Sequence, residues 1–527
     1  MTPVRWGALS AAVVVAVGGA VWVQSAEQQA AAGTASVPSV ALRDGHLVYT
    51  PGSRGDRIPD FSSVGYRAGA ALPQARQAVA LEPAAKGDDT SRIQNAIDTV
   101  AQQKAAADGT RGAVVLRPGR FRLQGTLHLA GGVVLRGSGT GTGGTLLIAA
   151  GVPRPLITIG AEGQYKPQGR KADVTSTYVP VGARSFDVDD AKGFAVGDQV
   201  VVQRPTTAAW IRAIGMDKIP GGEGWKPDDG ILAARTVTAV KGRTVTLDAP
   251  LTTAVDKQYG GATLWHYTQP GRVTDAGVEN LAADATAFTK DPGYGKPEGG
   301  KNNESGAFDS RLLSFGASRD VWAKDLRLTR FGTAIWVEDN AGRVTVARAA
   351  ALDMAVPDGL APPAAFMIDG QQVLVHDTEV TGDNIHAWTT FAFTAGPNVF
   401  TRGTARAATT NGRIDAGPHM KWGSGTLYDR LSIEGAQGAF IAGNAWDGGT
   451  GHGWQGANNV FWNTTSALHT LRQPPTAFTW AYGVTGKSVP GTHDKDLPAE
   501  PAAATTVSPG KPVRPDSLYT QQVSERP

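Results

Sequence analysis

Two short segments carry side chains suited to proton transfer. "GPHMKWGSGTLYDR" contains His419, Lys421 and Trp422, and "GTGHGWQGANNVFWN", about thirty residues on, contains His452 and Trp454. Imidazole and ammonium groups are common general acids and bases near neutral pH. Read as a strand, "IDAGPHMKW" puts Asp415, His419 and Lys421 on one face and Met420 and Trp422 on the other. The apolar set belongs inside, so the polar set forms an outward stripe of acid, imidazole and ammonium; an exposed polar face without chemistry is the alternative. Gly451 and Gly453 flank His452, where backbone can approach a ligand closely, and Trp454 is placed to stack on a sugar ring. A turn with a solvated histidine is the plainer reading of that segment. "GDNIHAWTTFAF" adds Asp383, His386 and Trp388 as substrate-binding candidates. Five of the nine histidines lie between 376 and 469; His376 and His469 have no supporting neighbours and read as surface residues.

Elements must hold these groups, and the sequence says which kind. Sixty-seven glycines, thirty-two prolines and 18% charged residues suit many short strands joined by tight turns. "GDDTSRIQNAIDTVAQQKAA" is the clearest helix, with Asp88, Asp89 or Thr90 to cap it and Ile93, Ala96, Ile97 and Val100 at helical spacing. After it, "GAVVLRPGRFRLQGTLHLAGGVVLRGSG" alternates apolar and polar residues in short runs cut by Gly and Pro. In the second half, runs such as "DVWAKDLRLT", "VLVHDTEVT" and "TLYDRLSIEG" recur at roughly 23 to 33 residues, a solenoid spacing. Asn398-Val399-Phe400 returns as Asn459-Val460-Phe461 two repeats later, and both asparagines read as structural, on the ground that Asn tolerates a left-handed turn.

The block "GDDTSRIQNAID…GAVVLRPGRFRLQGTLHL…GVVLRGSGTGTGGT" resembles the opening of pectate-lyase-superfamily proteins, and the segments around His419 and His452 look like a bacterial branch of that superfamily. The resemblance spans roughly 55–485 apart from an insertion. It implies an all-β chain, a right-handed parallel β-helix with an N-terminal capping helix. The expected organisation is a signal peptide or anchor over 1–32, a linker over 33–54, the cap and first coils over 55–164, and a small β-rich insertion over 165–270. The β-helix with the cleft then spans 271–483, and a Pro/Ala-rich tail, able to re-dock as a terminal cap, spans 484–527. The insertion is placed to wall one end of a substrate groove.

The N-terminus has Arg5, an apolar run from Trp6 to Val23 and small residues ending at Ala26 or Ala32, the layout of an export signal. The expected location is therefore secreted or periplasmic, with membrane attachment only if the segment stays uncleaved. Fifty basic against forty-seven acidic residues leave no global field for nucleic acid. The absence of cysteine excludes a disulfide framework. "GSGTGTGG" lacks the Lys-Ser/Thr and helix of a phosphate loop.

These features point to a polysaccharide lyase that cleaves a uronic-acid-containing glycan by β-elimination. Catalytic candidates are Lys421, His419, His452 and Asp415, with Lys421 expected as the base and His452 or His386 as partner. Trp454, Trp388, His386 and Asp383 are expected to bind the acidic polysaccharide or oligosaccharide. Calcium is the ion that the resemblance implies, with no dense carboxylate cluster on the stripe to hold it. Gly451-His452-Gly453 resembles one element of polygalacturonase-type hydrolases, but Asp189-Asp190 and Asp228-Asp229 fall in or beside the insertion. Hydrolysis would need two of Asp383, Asp415 and Asp447 across one cleft. A non-catalytic glycan-binding surface protein is the third reading.

Overall fold

The computed structural model describes residues 37–161, 163–290, 309–354, 364–491 and 501–526. The segment expected as an export signal lies outside them. Among the described residues no helix is long and apolar enough to cross a membrane.

Twenty-six of the described strands hydrogen-bond into one sheet whose pairings are parallel, wound as a right-handed β-helix. One ladder stacks Arg311–Phe315, Thr333–Val337, Ala364–Ile368, Ile385–Thr390, Arg413–Pro418 and Gln437–Ala442. A second stacks Ser318–Thr329, Ala341–Met354, Leu374–Gly382, Ala395–Ala407, Gly423–Glu434 and Asn459–Trp462. The helix Thr90–Ala101 buries Ile93, Ala96, Ile97 and Val100 in the same core as Val114, Leu116 and Phe121 of the first coils. Asp88 accepts from the Thr90 backbone and hydroxyl at its start, 3.1 and 2.6 Å away.

The repeated triplet explains how the coils stack. Phe400, Tyr428 and Phe461 lie in register inside the solenoid, with ring centroids 5.5 and 4.8 Å apart. Val399, Leu427 and Val460 point the other way, as period two requires, into a separate apolar cluster. The asparagines are structural for a different reason than the one expected. Asn398 accepts from Val373 N and donates to Gly370 O; Asn459 accepts from Thr426 N and donates to Gly423 O, all within 2.8–3.0 Å. Each clamps the preceding coil through its side chain, while the left-handed residue is the neighbouring Asn458, φ 55°.

The long strands of the second ladder turn a corner at a stack of non-glycine residues with left-handed backbone: Asp325, Arg348, Asp377, Arg402, Arg430 and Asn463, φ 48–55°. Opposite charges meet along it. Arg348 pairs with Asp325 at 2.6 Å and Arg402 with Asp377 at 2.7 Å.

Residues 166–268 build a six-stranded antiparallel sheet from Lys166–Asp173, Ser185–Asp187, Gln199–Thr206, Asp228–Lys241, Thr244–Leu247 and Thr263–Thr268. Its core includes Trp210 and Trp225 and continues into Trp422 and Trp454 of the β-helix. The C-terminal residues are docked: the helix Leu518–Ser524 places Leu518 and Tyr519 over Leu374, Val399, Leu427 and Val460, together with Ile58 and Phe61.

Candidate functional site

The strand containing Asp415 ends at Pro418. Lys421 and Trp422 both have left-handed backbone, φ 48° and 61°, so the two-residue alternation lapses before it reaches them. Alternation holds only within the strand, where Ile414 and Ala416 face the core. Gly417, φ 142°, lets the chain pass the next coil: a Cβ there would lie 1.8 Å from the Ile441 carbonyl.

Three imidazoles nevertheless converge. The His386 and His419 ring centroids are 4.8 Å apart and those of His419 and His452 are 4.7 Å apart, close to the spacing of neighbouring strands. Phe391, following the strand Ile385–Thr390, stacks on His419 at 5.5 Å. Lys421 closes the row: its backbone N–H donates to His452 O at 3.3 Å, and Trp422 N–H to Trp454 O at 2.8 Å. The one-turn helix Gly448–Gly451 carries His452, whose imidazole lies over Gly449.

Asp415 is not a free member of this set. Its carboxylate, 3% exposed, accepts from His386 and takes Arg413 Nη2 at 2.6 Å and Nε at 3.1 Å. Burial would raise its pKa, but His386 and Arg413 hold it down to about 2. It is a fixed anion that orients His386, leaving His386 Nε2 buried without a hydrogen-bond partner. Burial, with His386 and His452 alongside, holds His419 down to about 3; burial and the Lys421 ammonium lower His452 as well. Both rings are neutral bases at pH 7.

The proposed sugar platforms are elsewhere. Trp454 is 4% exposed, with Nε1 donating to Ile214 O at 3.0 Å in the insertion interface. Trp388 is fully buried in the solenoid, donating to Thr378 Oγ1 at 3.0 Å. Neither has a face to offer a ligand. The glycines beside His452 also serve packing: a Cβ on Gly453 would lie 2.5 Å from Met216 Sδ and 2.9 Å from Trp225, so the close approach is by the insertion. Asp383 accepts from Ala408 N at 2.9 Å and Thr409 N at 3.3 Å, holding a turn. The Asp447 carboxylate lies against Gly221 of the insertion. Asp415 is clamped and Asp383 holds a turn, while Asp447 is exposed beside the insertion. His376 and His469 are half-buried rather than surface groups.

Sequence reasoning missed part of the same ladder. Trp336 is half-exposed, carries Arg311 over its ring at 4.2 Å and donates to Asp369 Oδ2 at 2.9 Å. Asp369 Oδ1 is buried without a hydrogen-bond partner, and burial pushes this carboxyl up to about 8. Residue 369 follows the strand Ala364–Ile368 as Phe391 and His419 follow the next two, so these positions form one column. "AIWVEDN" and "MIDG" offered acidic residues just past strand ends, a signal visible only once the register is known. Among the described residues no three His, Asp or Glu side chains are placed to hold a metal ion, and Asp415, the stripe's buried carboxylate, is already committed.

No family model matches the chain, and no curated protein matches it either. Solved structures do resemble it in outline. The Gp54 tailspike of Acinetobacter baumannii bacteriophage AP22, solved with a capsular saccharide, is 12% identical over 80% of this chain and 62% of its own, TM-score 0.40. The chain therefore spans about three fifths of that protein's length. The catalytic domain of a GH87 alpha-1,3-glucanase is 9% identical over 84% and 67%, TM-score 0.37. The A-module of an Azotobacter vinelandii mannuronan C-5 epimerase is 13% identical over 76% and 90%, TM-score 0.27. At these values the likeness is one of coiled architecture and says nothing about chemistry.

Proposed function

We propose that the chain is a glycan-cleaving enzyme that acts on a uronic-acid-containing polysaccharide by β-elimination at the row His386, His419, His452 and Lys421. The observation that carries this reading is the imidazole row itself, assembled from three successive coils and ending beside an ammonium. The roles of Lys421 and His452 are exchanged relative to the sequence expectation. Lys421 neutralises the uronate carboxylate, which makes the C5 proton acidic; neutral His452 takes that proton. The electron pair forms the C4–C5 double bond as the C4–O bond breaks, and the imidazolium returns its proton to the leaving oxygen on the same face. Asp415 and Arg413 fix His386, and His419 with Phe391 lines the floor. Export, the expectation from residues 1–32, fits a substrate met outside the cell.

Glycoside hydrolysis is a second reading, supported by Asp369: a carboxyl held protonated at pH 7 is a general acid, and Glu338 and Asp339 are acidic neighbours. Product analysis over a panel of uronate polymers separates the two. β-Elimination leaves unsaturated, ultraviolet-absorbing ends and tolerates Asp369→Asn; hydrolysis leaves saturated ends and is lost in that variant.

A further inference from the structure

A cavity of about 440 Å³ lies between the antiparallel insertion and the β-helix, within the size range of small-molecule sites. Arg204, Trp210, Thr253, Tyr259, Trp422 and Phe478 are among its walls. Its polar groups are unevenly used. The acceptors are fewer: Asp56 accepts from Tyr178 Oη at 2.7 Å and Val181 N at 2.9 Å, and Asp256 forms an ion pair with Arg54 at 2.8 Å while its Oδ2 has no hydrogen-bond partner. Donors are left over. Arg204 is 6% exposed, spends Nε on Ala254 O at 3.0 Å and has Nη1 unpartnered. Trp210 Nε1, Trp422 Nε1 and Thr253 Oγ1 are likewise buried without partners. A buried guanidinium left partly unpaired is costly, and burial, opposed by the Asp256 carboxylate, pulls Arg204 down to about 10.

We infer that this cleft is a binding site for a carboxylate-bearing sugar, with Arg204 as its anion anchor. Donor excess selects an acceptor-rich, anionic ligand; Arg204 lies 4.5 Å over the Trp210 ring, which holds its plane fixed for a carboxylate. Half-exposed Tyr259 and Phe478 supply flat apolar walls for a sugar ring. The cleft is separate from the imidazole row but shares a boundary with it, because Trp422 lines the cleft and Lys421 ends the row.

The test is calorimetric titration of glucuronate and galacturonate, as mono- and disaccharides, with glucose and galactose as neutral controls. The protein is the Lys421→Ala variant, so that turnover does not intrude and the result stands apart from the proposed reaction. Saturable binding of uronates over neutral sugars is expected, weakened at least about tenfold in Arg204→Lys, which keeps the charge but loses the fork. Because Arg204 is buried, Tyr259→Ala is the second probe, with weakened binding expected in a chain whose melting temperature is close to the parent's. No binding by any uronate, equal binding of neutral sugars, or uronate binding unchanged in both folded variants would overturn the assignment.

Discussion

His419 shows what burial does to a single titratable side chain. Its folded-state pKa near 3 lies below the ordinary 6.5, so between those values the unfolded chain binds more protons than the folded one. Stability from this site therefore rises with pH over about 3 to 6.5 and is lost on acidification. Asp415, held to about 2 against an ordinary 3.8, adds a loss in the same direction at lower pH. We expect the melting temperature to fall from pH 6.5 to pH 4.5 and His419→Gln to flatten that slope; an unchanged slope would show His419 protonated and solvated. Asp369 has the opposite sign. Raised to about 8 from 3.8, it contributes stability that declines as pH climbs between those values, and Asp369→Asn should remove that decline in a thermal-melt series.

The corner stack and the docked tail belong to the scale of elements. Arg402, φ 52°, sits where a β-branched residue is sterically penalised and glycine is not. Both Arg402→Gly and Arg402→Val lose the ion pair with Asp377, so the Val variant should be less stable by a further ~1–2 kcal/mol in chemical denaturation. Asp429 binds the tail: it accepts from Ser517 and from Leu518 N at 3.2 Å, and from Thr401 at 3.0 Å. Asp429→Ala leaves those donors unmet, and a loss of about 3 kcal/mol, with earlier proteolysis near residue 515, is expected. Much of this element-level order was legible in the sequence. The helix, the coil spacing and the Asn-Val-Phe triplet each follow from local periodicity, because an in-register stack forces equivalent residues into equivalent places. The site was legible only in part. His386, His419 and His452 could be gathered by density and repeat spacing. The burial of Trp388 goes with an irregularity in its strand's register after His386, that of Trp454 with the insertion packed on it, and Asp369 depends on register. None of these is a property of a short window.

At the scale of the whole molecule, the insertion sets the shape of the site. Trp225 Nε1 donates to Gly451 O at 3.2 Å, Trp454 Nε1 reaches Ile214 O, and Met216 fills the space that Gly453 leaves. The turn carrying His452 is thus held from outside the β-helix. Trp225→Ala should cost about 3–5 kcal/mol and also lower kcat more than it changes KM, although Trp225 is not placed to touch substrate. If kcat survives in the folded variant, the insertion does not position His452. The central claim is that proton transfer occurs where the imidazole row meets Lys421. Its most direct test is the initial rate of unsaturated-end formation from a uronate polymer by the wild type, Lys421→Ala and His452→Ala, each with its fold checked by circular dichroism. The account predicts a native spectrum for all three and a rate loss of about a hundredfold or more in each variant; a wild-type rate in either folded variant would contradict it.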